Sequence, residues 1–231
     1  KEYGVVLADA SRSGFIDLAR NGGARVHAET RAVGLEPLDD EVRVVTDRGT
    51  IHAHRVVLAT AGWSNDLLAT LDLHVPLTVT REHVAYYPYP KDATILPFIA
   101  HAGPGKFEFY GLPNGPEPVV KVAKHGAGPE VDPNTEPLLE PRRLEDVNRF
   151  VERHLPSLQT VPSRAETCLY ASTPDDDFVI DRRGSIVLGM GFGGHGFKFG
   201  PVIGAMLADL ATDDAAAAAP KFSVARFAQR G

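Results

Sequence analysis

The run Gly189-Met190-Gly191-Phe192-Gly193-Gly194-His195-Gly196-Phe197-Lys198-Phe199-Gly200 constrains the folding of this chain more than any other stretch. Its glycines permit φ > 0 and let backbone N–H groups come close to a ligand. An apolar segment at 185–188 precedes the run and a helical pattern from about 199 to 210 follows, so the glycines join a strand to a helix. A helix N-terminus at that place favours an anionic group. By spacing alone, a loop that only needs flexible turns fits the same residues equally well.

Around this loop the pattern is α/β and then α+β. Residues 8–21 carry Phe15, Leu18 and Ala19 at helical spacing, and Asn21-Gly22-Gly23 is a stop signal, which predicts a surface helix. Segments 24–29, 42–46, 51–54 and 56–60 read as a strand, a hairpin turning at Asp47-Arg48-Gly49, and an apolar strand. Gly62 and Trp63 follow that last strand, at the carboxyl end where open α/β sheets bind ligands. From Val75 onward long alternation announces a larger antiparallel sheet. Segments 106–112 and 118–125 flank Pro113-Asn114-Gly115-Pro116, a turn signal that makes them a hairpin. Leu144, Val147, Phe150 and Val151 form a helical stripe within 142–155, stopped by Pro156. Strands return at 165–172, 178–181 and 185–188, and the chain re-enters its first domain. The alanine tail at 215–219 reads as frayed or helical.

With 231 residues, 43% hydrophobic and 23% charged, the chain can bury a substantial core. A net charge of −6 without a basic cluster argues against partners such as nucleic acid or an anionic membrane. No apolar run reaches the roughly 20 residues of a membrane span, and the first residues do not form a signal peptide, so a cytoplasmic location is the default. The single cysteine, Cys168, cannot make an internal disulfide and is either inert core or a reactive thiol.

Several residues could carry chemistry. On the second hairpin strand Lys121, Ala123 and His125 share one face, and Val120, Val122 and Lys124 the other. If the odd face points inward, a buried lysine demands a role; if outward, both bases are solvated. Lys124 reads as surface charge and Asp175-Asp176-Asp177 as a polar turn. His52 and His54 alternate on a strand without a third ligand nearby, so no metal site is expected.

The glycine-rich string, with the upstream segments Glu166-Thr167-Cys168-Leu169-Tyr170-Ala171-Ser172-Thr173-Pro174-Asp175 and Phe178-Val179-Ile180-Asp181, resembles the monomeric sarcosine oxidase-like branch of the D-amino-acid oxidase superfamily. The resemblance covers essentially the whole chain. It implies an FAD-binding domain of the two-dinucleotide-binding type, here incomplete, interleaved with an antiparallel-sheet substrate domain. Residues 1–70, of which the first may belong to the substrate domain, and 171–231 would form the former, and 71–170 the latter. In the family the glycine loop, here Gly191, Phe192, Gly193, Gly194, His195, Gly196 and Phe197, lies over the flavin, and the lysine matching Lys198 contacts the substrate carboxylate. The cysteine matching Cys168 bonds the flavin 8α-methyl carbon, which requires an accessible thiolate near positive charge. The tyrosines matching Tyr110 and Tyr170 line the substrate cavity, the lysine matching Lys121 activates dioxygen, and the histidine matching His125 adjoins the amine.

What the resemblance implies is FAD-dependent oxidation of the C–N bond of a small secondary amine or N-methyl amino acid, with dioxygen as acceptor and hydrogen peroxide as product. The chain begins at Lys1 rather than at a methionine, and the opening βαβ unit of the family, with its pyrophosphate loop and ribose-binding acid, is not found in it, so it is expected to be the later part of a longer enzyme. That expectation carries two others: weak FAD binding by the 231 residues alone, and self-association through an exposed sheet edge. A flavin-free binding or oligomerising fragment, and an amine dehydrogenase using another acceptor, are the alternative readings.

Overall fold

The computed structural model describes residues 4–103, 106–115, 117–126 and 128–228. Two compact units arise, one from the residues through Leu18 with Thr80–Leu169, the other from Ala19–Val79 with Tyr170 onward. Among the described residues no helix is long and apolar enough to cross a membrane.

Helix α1, Ala8–Asn21, forms where helical spacing predicts it and buries none of its residues. Its end is a Schellman turn: Gly23 takes φ 92°, while the Ala24 and Gly23 amides donate to the Ala19 and Arg20 carbonyls.

The first unit is built on an antiparallel sheet. Strands β5 (Thr78–Pro88), β6 (Phe98–Gly103), β7 (Lys106–Pro113), β8 (Val119–Lys124) and β9 (Arg164–Ser172, whose last residues enter the other unit) lie in the order β6-β7-β8-β5-β9. The β7–β8 hairpin turns where predicted, with Gly115 at φ 68°. Strand β6 was not expected from sequence; its Ala-His-Ala-Gly stretch alternates weakly and its pairing with β7 shifts register twice. One sheet face packs Ala85, Tyr87, Phe109, Val120 and Val122 against Leu144, Val147 and Val151, the last two on helix α3 (Glu145–His154). Phe150 stacks on Phe109 at 4.3 Å between ring centroids, and the Tyr87 hydroxyl donates to Asn148 at 2.5 Å. Lys124 is half-buried and paired with Asp146 at 2.8 Å and Glu108 at 3.1 Å, which corrects its reading as loose surface charge.

The second unit is layered. Strands β1 (Ala32–Pro37), β2 (Val42–Thr46) and β3 (Gly49–Ala53) form a meander, and β10 (Val179–Arg183), β11 (Ile186–Met190) and β4 (Val56–Leu58) a second sheet. Strand β11 is buried throughout. Its Ile186, Leu188 and Met190 join Leu35, Val42, Leu58 and the Leu67 and Leu68 pair of helix α2 (Ser64–Leu68), while Val187 faces Ile203, Leu207 and Leu210 of helix α4 (Gly200–Thr212). Gly189 allows this approach, since a Cβ there would sit 2.8 Å from Leu207. Helix α4 ends where the Arg182 guanidinium donates to the carbonyls of Leu210, Asp213, Asp214 and Ala216.

One expectation is corrected here and another is narrowed. Segment 24–29 is not a strand: its one large apolar residue, Val26, is 42% exposed, so no buried face holds it in a ladder. Strand β1 lies instead in 32–37, hidden from propensity by Gly34 and Pro37 and bulged between Ala32 and Gly34. Of the two readings of the alanine tail at 215–219, frayed or helical, the helical one is excluded, because the helix before it is already closed by Arg182.

Candidate functional site

In the first unit the sheet face opposite α3 carries the candidate chemistry. Lys121 lies directly across from Tyr86 on β5 and Leu112 on β7. Ala123 lies across from Val84 and Tyr110. Val84, Tyr86, Val119 and Ala123 form a buried cluster against which Tyr110 and Cys168 pack. The even residues of β8 enter the α3 core, so the odd face is the one with room for function, and Lys121 on it is half-buried. His125 follows in the turn after β8, half-buried, its amide donating to the Glu108 carbonyl at 2.8 Å.

The Cys168 thiol is half-buried. Burial pushes its pKa up, the Lys121 ammonium pulls it back, and Glu82 and Glu166 push it up again. The sulfur therefore has the neighbouring cation that thiolate chemistry requires, but the net balance keeps it protonated.

Tyr86, opposite Lys121, escaped the sequence reading because only strand register places it there. Its hydroxyl donates to Glu166 at 3.2 Å and its ring lies 3.9 Å under the Arg164 guanidinium. Burial, with the Glu166 carboxylate second, pushes its pKa to about 12.

In the second unit the glycine run opens at the carboxyl end of β11. Because β11 runs parallel to β4, the turn after β4, containing Gly62 and Trp63, emerges at the same sheet edge. There Ala61 takes φ 48° and Trp63 is 40% exposed. Gly191, Gly193 and Gly194 adopt φ of 74°, 49° and 74°, conformations that side chains resist. The loop is stitched to the end of β9 by a bridge between Ser172 and Phe192 and by the Gly193 amide donating to Ala171. Tyr170 then lies against the loop so closely that a Cβ on Gly194 would fall 2.2 Å from its ring. Gly196 and Phe197 begin a 3-10 turn, Gly196–Phe199, that leads into α4. His195, half-buried, has its pKa lowered by burial and then by Lys198. Lys198 itself is exposed, donating to the His195 carbonyl at 3.1 Å and lying over the Phe199 ring.

The polar turn after β9 is anchored: Asp175 is held by Arg226 through two contacts of 3.0 and 3.1 Å, and a Cβ on Gly191 would meet Thr173 at 2.6 Å. His52 pairs with Glu41 at 2.8 Å and His54 with the Asp40 carbonyl at 3.0 Å. Among the described residues no group of His, Cys, Asp and Glu has the arrangement of a metal site.

The first unit offers a half-buried thiol and a cation on one sheet face, and the second a turn with three glycines at positive φ at the carboxyl edge of a parallel strand pair.

The chain is 30% identical over 220 residues to monomeric sarcosine oxidase of Bacillus sp. (strain NS-129), covering 90% of this chain and 56% of the relative. It is 33% identical to that of Streptomyces avermitilis, covering 91% and 58%, and 31% identical to peroxisomal sarcosine oxidase of Homo sapiens, covering 90% and 56%. It thus spans a little over half the length of these relatives. Among solved structures, NikD, an unusual amino acid oxidase essential for nikkomycin biosynthesis, superposes with a TM-score of 0.80 at 28% identity, covering 91% of this chain and 58% of NikD. L-proline dehydrogenase from P. horikoshii shares the fold, with a TM-score of 0.80 at 24% identity over 95% of this chain and 59% of its own. The model of the FAD dependent oxidoreductase (DAO) family matches residues 3–210, and the chain belongs to that family.

Proposed function

We propose that the protein carrying this chain oxidises the C–N bond of a small secondary amine, such as an N-methyl amino acid, with dioxygen as the final acceptor. The observation that carries this reading is the grouping of Cys168, Tyr110 and Tyr86 around one sheet face, with Lys121 in register on it. The names of the relatives, sarcosine oxidases and an N-methyl-L-tryptophan oxidase, support the substrate class.

Oxidation removes two electrons and two protons from the amine to leave an imine, which water hydrolyses to an aldehyde and an amine when the oxidised carbon is an N-methyl group. FAD, when bound, supplies the two-electron acceptor. Dioxygen takes up two electrons and two protons to become hydrogen peroxide. Lys198, an exposed cation on the glycine loop, holds the substrate carboxylate. Tyr110, Tyr170 and His125 shape the amine site. Lys121 presents a fixed positive charge that favours negative charge developing on oxygen. Cys168 is the covalent tether, and Gly62, Trp63 and the glycine run from Gly191 to Phe197 line the cofactor. In this reading the five-stranded unit is the substrate side and the layered unit the FAD side.

The test is acid precipitation of the purified longer protein that carries this chain. Yellow colour on the polypeptide, lost in Cys168→Ser and diminished in Lys121→Met because the thiol then loses its stabilising cation, is the expected result. A colourless wild-type precipitate excludes the tether, and peroxide release across an amine panel then decides whether oxidation survives without it. Colourless protein that releases no peroxide with any amine refutes the oxidase reading.

A further inference from the structure

Glu82 is among the most deeply buried side chains of the described residues, 2% exposed, and its carboxylate raises the pKa of Cys168. A carboxylate is buried at considerable cost unless its oxygens are satisfied. Here both are used: the Thr80 hydroxyl donates to Oε1 at 2.6 Å, and the Gly128 amide donates to Oε2 at 3.0 Å. Gly128 approaches so closely that a Cβ would fall 2.2 Å from the Arg81 carbonyl oxygen and 2.7 Å from Glu82 Oε1.

The contact belongs to a wider grip. Thr80 bridges Glu130, the Arg81 amide donates to Pro129 at 2.9 Å, and the Arg81 guanidinium donates to the carbonyls of Thr135 and Glu136 at 2.9 and 2.7 Å. The start of β5 therefore clamps the segment that leaves β8. His125 stands three residues before Gly128, on a turn whose Gly126 takes φ 61°. On its other side His125 is tethered to Glu108.

We propose that Glu82 is a positioning residue: through the Gly128 amide it fixes the turn that presents His125 to the amine. The inference rests on the function proposed above. Its chemistry calls for a planar acceptor at position 82 rather than for a charge. A glutamine there can accept the Gly128 amide with its carbonyl and donate to Thr80 with its nitrogen, whereas alanine leaves both groups without a partner.

The experiment uses the flavin-loaded protein and the variants Glu82→Ala and Glu82→Gln. Misplacing a substrate-contacting group by about 1 Å can cost on the order of 100-fold, so Glu82→Ala is expected to lower kcat/KM at least tenfold and Glu82→Gln to stay within threefold of wild type. Hydrogen exchange at the Gly128 amide, with NMR of labelled His125, is the readout independent of turnover: exchange accelerates and the imidazole resonances move in Glu82→Ala, and both return in Glu82→Gln. If Glu82→Ala does not fold, Gly128→Ala, whose Cβ drives the same segment off β5, takes its place with the same expectation. Wild-type amine turnover with Glu82→Ala unchanged in kcat/KM and in Gly128 exchange overturns the proposal, as does Glu82→Gln matching Glu82→Ala in a folded protein. Absence of amine turnover in the wild type with the exchange pattern as expected would instead overturn the functional reading and leave the clamp standing.

Discussion

Replacing Arg226 by leucine should destabilise the layered unit, and the size of the loss can be worked out from its contacts. Arg226 donates Nε and Nη2 to the two oxygens of Asp175 at 3.0 and 3.1 Å, and further to the carbonyls of Asp177 at 2.7 Å and Ser223 at 3.1 Å. Its guanidinium lies 4.1 Å from the Phe227 ring. The two charged side chains are only 13% and 14% exposed. An exposed pair is worth at most about 1 kcal/mol, and truncating one partner of a buried pair costs roughly 3–5 kcal/mol, so Arg226→Leu should cost about 2–3 kcal/mol. A second route agrees in order: the Arg226 hydrogen bonds, against some desolvation, hold the Asp175 carboxyl down to about 2 from the ordinary 3.8. At roughly 1.4 kcal/mol per unit, reduced for solvent screening, that is about 1–2 kcal/mol. Arg226→Lys keeps the charge but not the fork and should lose about half as much. Urea unfolding followed by the fluorescence of Trp63, which lies in the same unit, measures the change. Since the folded pKa of Asp175 is depressed, its contribution is complete above about pH 4–5 and is lost as the pH falls toward 2, so the gap between wild type and variant narrows over that range. A gap under about 0.5 kcal/mol at neutral pH, set against the loss expected for a nearly buried pair, or one that stays constant into acid, would refute the reasoning.

Two more outcomes follow from other sites. His83 is 5% exposed and accepts the Glu140 amide at 3.2 Å on Nε2; burial, reinforced by Arg143 against Glu140, the Arg81 backbone and Glu82, lowers its pKa. Folding thus favours the neutral ring and stability falls as the pH drops below about 6.5; His83→Gln, an acceptor that does not titrate, should flatten the urea midpoint between pH 7 and 5, and an unchanged slope would contradict this. Gly194→Ala should cost about 2–4 kcal/mol, from φ strain plus displacement of Tyr170; the double change with Tyr170→Ala should recover only the collision part, and full additivity of the two losses would argue against contact between them.

Local signals were legible wherever a few neighbouring residues decide the outcome. The end of α1 follows from Gly22-Gly23, the β7–β8 hairpin from Asn114-Gly115, and α3 from the spacing of Leu144, Val147 and Val151, because backbone freedom and period are properties of adjacent residues. The candidates Cys168, Lys121, Tyr110 and the glycine run were visible because their motif is contiguous or lies on one hairpin.

Tertiary structure alone decided the rest. Parity grouped Lys121 with Ala123 and His125, but which face of β8 meets α3 depends on residues more than twenty positions away. Tyr86 and Glu82 enter the picture only through pairing of β5 with β8 and through the approach of Gly128, contacts spanning 35 and 46 positions that no local pattern encodes. Charge and burial act in the same way: the Cys168 thiol, the Asp175 carboxyl and the His83 ring take their protonation preferences from neighbours brought by the fold, since the electric field at a group depends on distance in space and not on order along the chain.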